Sequence, residues 1–152
     1  MSNEIKIFEN KAFSSVRVTI IDGDPWFVGV DACKVLGIKD PTTSIRILDE
    51  DEKGVHTMHT PGGDQNLVII NEAGLYSLIL RSRKPEAKVF KRWVTHEVLP
   101  SIRKYGMYAT DDTLDKLIAD PRYAAKLFTE LADERDKNKK LQATVETQAV
   151  LL

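Results

Sequence analysis

Most of what would announce chemistry is missing from this chain. Its 152 residues include one cysteine, three histidines and two tryptophans. A lone Cys33 excludes an intrachain disulfide and agrees with a reducing compartment. No apolar run approaches the roughly 20 residues needed to cross a bilayer. The opening MSNEIKIFEN lacks the basic-then-apolar layout of a signal peptide, so a cytoplasmic chain with no membrane partner is expected. There is no glycine-rich phosphate loop, and Gly62-Gly63 lies between two predicted strands rather than between a strand and a helix. Nothing assembles a nucleophile, a base and an oxyanion site. His56 and His59 are three apart on a predicted strand and point to opposite faces, and Cys33 is an unsupported thiol. No metal, cofactor or catalytic residue is therefore expected, and the protein reads as something other than an enzyme. The acidic run Asp49 to Glu52 reads as a solvated loop rather than a magnesium site.

What is present is an ordinary globular composition, 42% hydrophobic and 30% charged, with a net charge of -1. The charge is unevenly placed. Residues 1–80 carry 7 basic and 12 acidic residues, residues 81–104 carry 8 and 2, and residues 105–152 carry 7 and 9. Positive charge gathered in one short segment makes a local field on a nearly neutral protein.

Residues 5–8, IKIF, and 15–21, SVRVTII, predict strands. In the second, Val16, Val18 and Ile20 form the expected buried set, alternating with Arg17, Thr19 and Ile21. Asp22-Gly23-Asp24 predicts a turn and Trp26 to Val28 a further strand. Asp31 is expected to cap a short helix over 32–36 that Gly37 stops; Asp40 is expected to cap a second helix with Pro41 at its first position. Ile45 and Leu48 should face inward. Residues 55–60 and 66–70 predict a hairpin around Pro61 to Gln65. Asn71 should cap a helix over 72–82 with Leu75, Leu78 and Ile79 as its core stripe. Lys84-Pro85 starts another helix running towards Pro100, which should kink it or end a turn. On that helix Val89, Phe90, Trp93 and Val94 share one arc, opposite Lys84, Lys88, Lys91, Arg92 and Thr95. Glu97 falls within the apolar arc, either partnered by Arg81 or Arg103 or exposed by a kinked end.

Gly106 should close the compact region. Asp120-Pro121 predicts a second helix start beyond it. From there Leu127, Leu131, Leu141, Val145 and Leu152 follow 4/3 spacing, with Glu134, Asn138 and Gln148 between them. This fits a weak two-stranded coiled coil or a solvated linker helix. The chain ends at Val150-Leu151-Leu152 without a capping signal, which leads us to expect a further C-terminal domain in a longer protein.

Two constellations fit a macromolecular ligand. Cys33 and Gly37 have the spacing of the small residue and turn glycine of a helix-turn-helix, with Ile45 as the second helix's buried anchor. The turn from Ile38 to Thr43 is about two residues longer than the tight form. If the motif holds, Thr42, Thr43, Ser44 and Arg46 face DNA; the alternative is two core-packing helices with a polar outer side. The other constellation is Arg81, Arg83, Lys84, Lys88, Lys91 and Arg92, gathered on a helix start and one face. It suits phosphates, an acidic protein or plain solvent.

The chain also resembles a known family. Phe27-Val28-Gly29-Val30-Asp31 with Val35-Leu36-Gly37, then Ile70-Asn71-Glu72-Ala73-Gly74-Leu75-Tyr76, then Ser82-Arg83-Lys84-Pro85-Glu86-Ala87-Lys88, look like the Bro-N domain. So do Phe90-Lys91-Arg92-Trp93-Val94 and Glu97-Val98-Leu99-Pro100-Ser101-Ile102-Arg103. The resemblance covers about residues 5–108. It implies a DNA-binding module of phage and prophage antirepressors, which counteract a lysogeny repressor to promote lytic growth. It also implies a helical linker leading to a second domain, often of the KilA-C type. The expected architecture is α+β: a small antiparallel sheet with packed helices over 1–108, then an extended helix over 109–152. The expected partners are DNA, a lysogeny repressor protein, or both, with self-association through the C-terminal helix.

Overall fold

The computed structural model describes residues 15–151, with side chains through residue 147. The expected strand at 5–8, and the seam positions Gln148 and Leu152, lie outside this description. The chain divides into two compact units, residues 1–100 and 101–152.

The first unit is built on a four-stranded antiparallel sheet in the order β1-β2-β4-β3. β1 (Val18–Ile21) and β2 (Asp24–Val28) are joined by Asp22 and Gly23, both at positive φ (52° and 83°). That pair of left-handed residues makes a tight hairpin turn whose twist matches the strands. β3 (Lys53–Thr60) and β4 (Gly63–Ile70) form a long hairpin, in register from Lys53 opposite Ile70 to Thr60 opposite Gly63. β4 joins the two hairpins through Phe27 opposite Ile70. The acidic run before β3 is more ordered than a solvated loop. Glu50–Glu52 make one 3₁₀ turn, and the Glu52 carboxylate accepts from the Asp49 amide at 2.8 Å.

The alternation in β1 faces the other way from the sequence expectation. Val18 and Ile20 are 47% and 63% exposed, while Thr19 and Ile21 are half-buried. Val16 is buried, but it precedes the strand. On this edge the inner face follows from the pairing of Thr19 with Trp26, which the pattern of apolar residues does not encode.

α1 (Gly29–Val35) follows β2 directly, and α2 (Pro41–Arg46) follows after a short turn. α3 (Glu72–Arg81) starts as expected: the Asn71 side chain accepts from the Gly74 amide at 2.9 Å. Its Leu75, Leu78 and Ile79 are fully buried against Phe27, Ala32, Cys33, Leu36, Ile45, Leu48 and Ile70. α4 (Pro85–Trp93) adds Ala87 to this core, with Phe90 stacked on Tyr76 at 5.8 Å between ring centroids. The expected apolar arc of α4 is covered only in part: Phe90 and Val94 are half-buried and the Trp93 ring lies 5.8 Å from that of Phe90, but Val89 is 69% exposed.

Pro100 does not end the helix. α4 passes through a π turn (Val94–Val98) into α5 (Leu99–Tyr105). Proline offers no N–H and its ring crowds the carbonyl four residues back, at His96; one wider turn absorbs the mismatch. Thr95 adds to the local distortion, its hydroxyl donating to the Lys91 carbonyl at 2.8 Å. Glu97 is exposed, the second of its two expected fates.

Gly106, at φ 79°, stops α5. In the second unit α6 (Asp111–Ala119) is capped by Thr110, which accepts from the Thr113 amide at 3.2 Å. α7 (Pro121–Leu151) starts at Asp120-Pro121, with α6 packed on its early turns.

Candidate nucleic-acid interface

The segment from α1 to α2 is shaped by local chemistry. Gly37, at φ 66°, takes the left-handed position after α1. Its amide bonds the Lys34 carbonyl, and the Ile38 amide bonds that of Cys33 at 2.9 Å, closing the last turn in the manner of a Schellman motif. At the start of α2 the Asp40 carboxylate accepts from the Thr43 amide at 3.1 Å and from the Thr43 hydroxyl at 2.6 Å. These bonds, the hydroxyl's first, hold the Asp40 carboxyl below its ordinary pKa. Asp40, Pro41, Ile45 and Leu48 therefore do what the sequence implies.

The same bonds change what α2 can offer a ligand. The Thr43 hydroxyl already serves the cap, bonded to the Asp40 carboxylate. Ser44 is half-buried, whereas Thr42 and Arg46 are exposed. Both line a groove of about 590 Å³ between α2 and the β3–β4 hairpin, with Lys53, Glu50 and Asn66. Its remaining walls are apolar: Val30, Ile45, Val55, Leu67 and Val68. Lys53 donates to the Arg46 carbonyl at 2.8 Å and so ties the hairpin to the end of α2.

The basic segment forms a corner between α3 and α4, and one buried residue sets its shape. Ser82 is 2% exposed, and its hydroxyl donates to the Leu36 carbonyl at 2.6 Å, 46 residues away in sequence. The same oxygen accepts from the Lys84 amide at 3.2 Å. Lys91 reaches back to donate to the Ser82 carbonyl at 2.8 Å. It is a brace, half-buried, and the sequence grouping of Lys91 with the outward cations does not describe its position. Arg81, Arg83, Lys84, Lys88 and Arg92 are exposed.

The corner also gains a cation that the linear sequence separates from it. Lys84 packs its stem over Gly37 and shares a hollow of about 350 Å³ with Lys34, Asp31, Val35 and Ser15. The carboxylate in that hollow is already engaged. Arg17 donates to Asp31 through its guanidinium at 2.8 and 3.0 Å and through its amide at 3.0 Å. The guanidinium, foremost, lowers the Asp31 pKa, and the charge of Lys34 nearby lowers it further, so Asp31 faces both cations with Arg17 as its main partner. Lys34 precedes the basic segment by some 50 residues, so only the packing of α1 against the corner brings it in.

Elsewhere, His59 pairs with Asp64 at 2.5 Å across the β3–β4 hairpin, and His56 lies on the other face opposite Leu67. Cys33 is buried, which pushes its thiol pKa up. Among the described residues no three histidine, cysteine or acidic side chains gather as ligands of a metal ion. Nor does any described helix have the length and apolarity to cross a membrane.

Comparisons with known proteins place the sequence among relatives. An uncharacterized protein of Haemophilus influenzae (strain ATCC 51907 / DSM 11121 / KW20 / Rd) is 44% identical over 115 residues, which is 71% of this chain and 55% of that protein. Putative Bro-N domain-containing protein 289L of Invertebrate iridescent virus 6 is 34% identical over 136 residues, 74% of this chain and 33% of its own length. Protein 201R of the same virus, similarly described, is 32% identical, covering 79% of this chain and 35% of its own length. The chain thus spans between a third and just over half of these relatives. No solved structure matches it. Residues 15–100, which hold the sheet, α1 to α4 and the basic corner, match the N-terminal domain of the BRO family, and the chain belongs to that family as a Bro-N protein.

Proposed function

We propose that this chain is the nucleic-acid-gripping part of a phage antirepressor-type transcriptional regulator, acting in the bacterial cytoplasm by binding rather than catalysis. The observation that carries the reading is the α3–α4 corner. Exposed Arg81, Arg83, Lys84, Lys88 and Arg92, joined by Lys34, sit on a segment fixed to the core by Ser82. Cations held on a rigid element neutralise phosphates without ordering a loop first, and each contact releases counterions. The net charge of -1 limits the footprint to this corner. Such a grip positions a protein on a duplex and carries no base readout of its own.

The test is a gel shift or anisotropy titration with duplex DNA across a salt series. Binding should weaken steeply with salt, and Arg83→Ala with Lys88→Ala and Arg92→Ala should lower the log–log slope by about 2 to 3. A slope that ignores all three substitutions would remove the corner from the interface.

A second reading rests on a different observation. The groove beside α2 has apolar walls, and Val30, Val55 and Val68 are 49%, 70% and 42% exposed. Such a surface suits a segment of protein, and here that would be the lysogeny repressor, displaced from its operator by direct capture. Co-elution with the repressor in the absence of DNA, lost on Val55→Asp, supports it; retention of DNA binding by the same variant separates the two.

A further inference from the structure

We propose that a second copy of this chain covers α7, forming a parallel, in-register two-stranded coiled coil. The helix is 31 residues long, or about 46 Å. α6, with nine residues, spans about 13 Å and packs on its early turns. Beyond them Leu131, Leu141 and Val145 are 52%, 56% and 64% exposed. They stand in one heptad frame. Leu131, Asn138 and Val145 take the first core position, and Leu127, Glu134 and Leu141 the second.

The charges around that seam choose both the partner and the direction. In a parallel pair of identical chains, Glu130 faces Arg135 of the other copy, twice by symmetry. Asn138 meets Asn138, where the two side-chain amides bond each other and fix the register. The antiparallel register that also matches apolar layers centres on residue 136. It brings Arg135 against Arg135 and Lys137 against Lys137. Glu134 is the weak layer of the parallel form, since two carboxylates meet there; flanking Arg135 and Lys137 supply the opposite charge. The pair is therefore modest in strength and specific in direction. It attaches both N-terminal units to the same end of the coil, so one assembly carries two phosphate grips.

This inference stands apart from the nucleic-acid reading, because none of its residues lies in the α3–α4 corner. Lys88→Ala and Arg92→Ala should leave it unaffected. The experiment is sedimentation equilibrium on the full 152-residue chain, joined to cysteine cross-linking under mild oxidation. The expected result is a concentration-dependent dimer. Glu134→Leu should tighten it at least tenfold. Glu130→Arg should weaken it about tenfold, and adding Arg135→Glu should restore it. Val145→Cys should cross-link to itself, whereas the parent chain, its Cys33 buried, should not. A monomer at every concentration overturns the proposal. So does preferential cross-linking of a Leu131→Cys chain to a Leu141→Cys chain, the signature of the antiparallel form. Circular dichroism of each variant shows that α7 is still helical, so a negative result speaks about pairing.

Discussion

Asp31 illustrates how a residue's role changes once its neighbours are known. The sequence places it as the cap of the first helix. In the structure α1 begins three residues earlier than expected, at Gly29, and Asp31 lies in its first turn, bound by three donors of Arg17. Its pKa is lowered in the folded state, the guanidinium hydrogen bonds being the main cause. The stability this contributes is fully present above the unfolded value, about 3.9. It is lost as pH falls through the lower, folded value. Urea denaturation from neutral to acid pH should therefore show a downward acid limb that Asp31→Asn flattens; an unchanged profile would mean the pair is worth nothing in solution. Ser82 makes a second prediction at this scale. Replacing it with alanine leaves the Leu36 carbonyl without its donor inside the core. The expected loss is about 1–3 kcal/mol by urea denaturation.

Among the elements, α4 separates what cations do from where they stand in a list. Lys88 and Lys91 share one side of the helical wheel, but Lys91 braces the Ser82 carbonyl and Lys88 is exposed. Lys88→Ala should reduce the salt slope of DNA binding by about 1 and leave the denaturation midpoint in place. Lys91→Ala should lower the midpoint and leave the slope nearly unchanged. The reverse pattern would show that the brace opens on binding.

This contrast also marks how far the sequence could be read. Caps and stops were legible because their chemistry is local: Asn71 with Gly74, Asp40 with Thr43, Gly37 after α1, Gly106 after α5. The core stripe of α3 was legible because three apolar residues at helical spacing admit one buried face. The outward turn of Val18, Ile20 and Val89 was not, since each depends on which neighbouring element supplies the cover. The π turn before Pro100 was hidden as well. Periodicity fixes no phase across a proline. Before it, the arc of Val89, Phe90, Trp93 and Val94 is only partly covered: Phe90 packs on Tyr76 and Trp93 touches Phe90, whereas Val89 is exposed. At the candidate interface, the five outward cations were legible as a charge run, whereas Lys34 was not, because only tertiary packing joins it to Lys84.

For the molecule as a whole, the division after residue 100 is followed by an irregular stretch between α5 and α6, residues 106–110, with Tyr105 and Met107 69% and 45% exposed beside or within it. Limited chymotrypsin digestion should cut first near these residues and leave a resistant N-terminal fragment; early cleavage inside α3 or β4 would contradict the compact first unit. An inward alcohol helps to set the orientation of that unit's charged corner. Phosphate accepts any cation within reach, so the outward lysines and arginines are free to exchange identity or drift by a turn as the family diverges. The oxygen at position 82 has no such latitude, since it ties the residue that ends α1 to the residue that opens α4. An alignment of Bro-N sequences should accordingly show a steadfast serine surrounded by interchangeable charges.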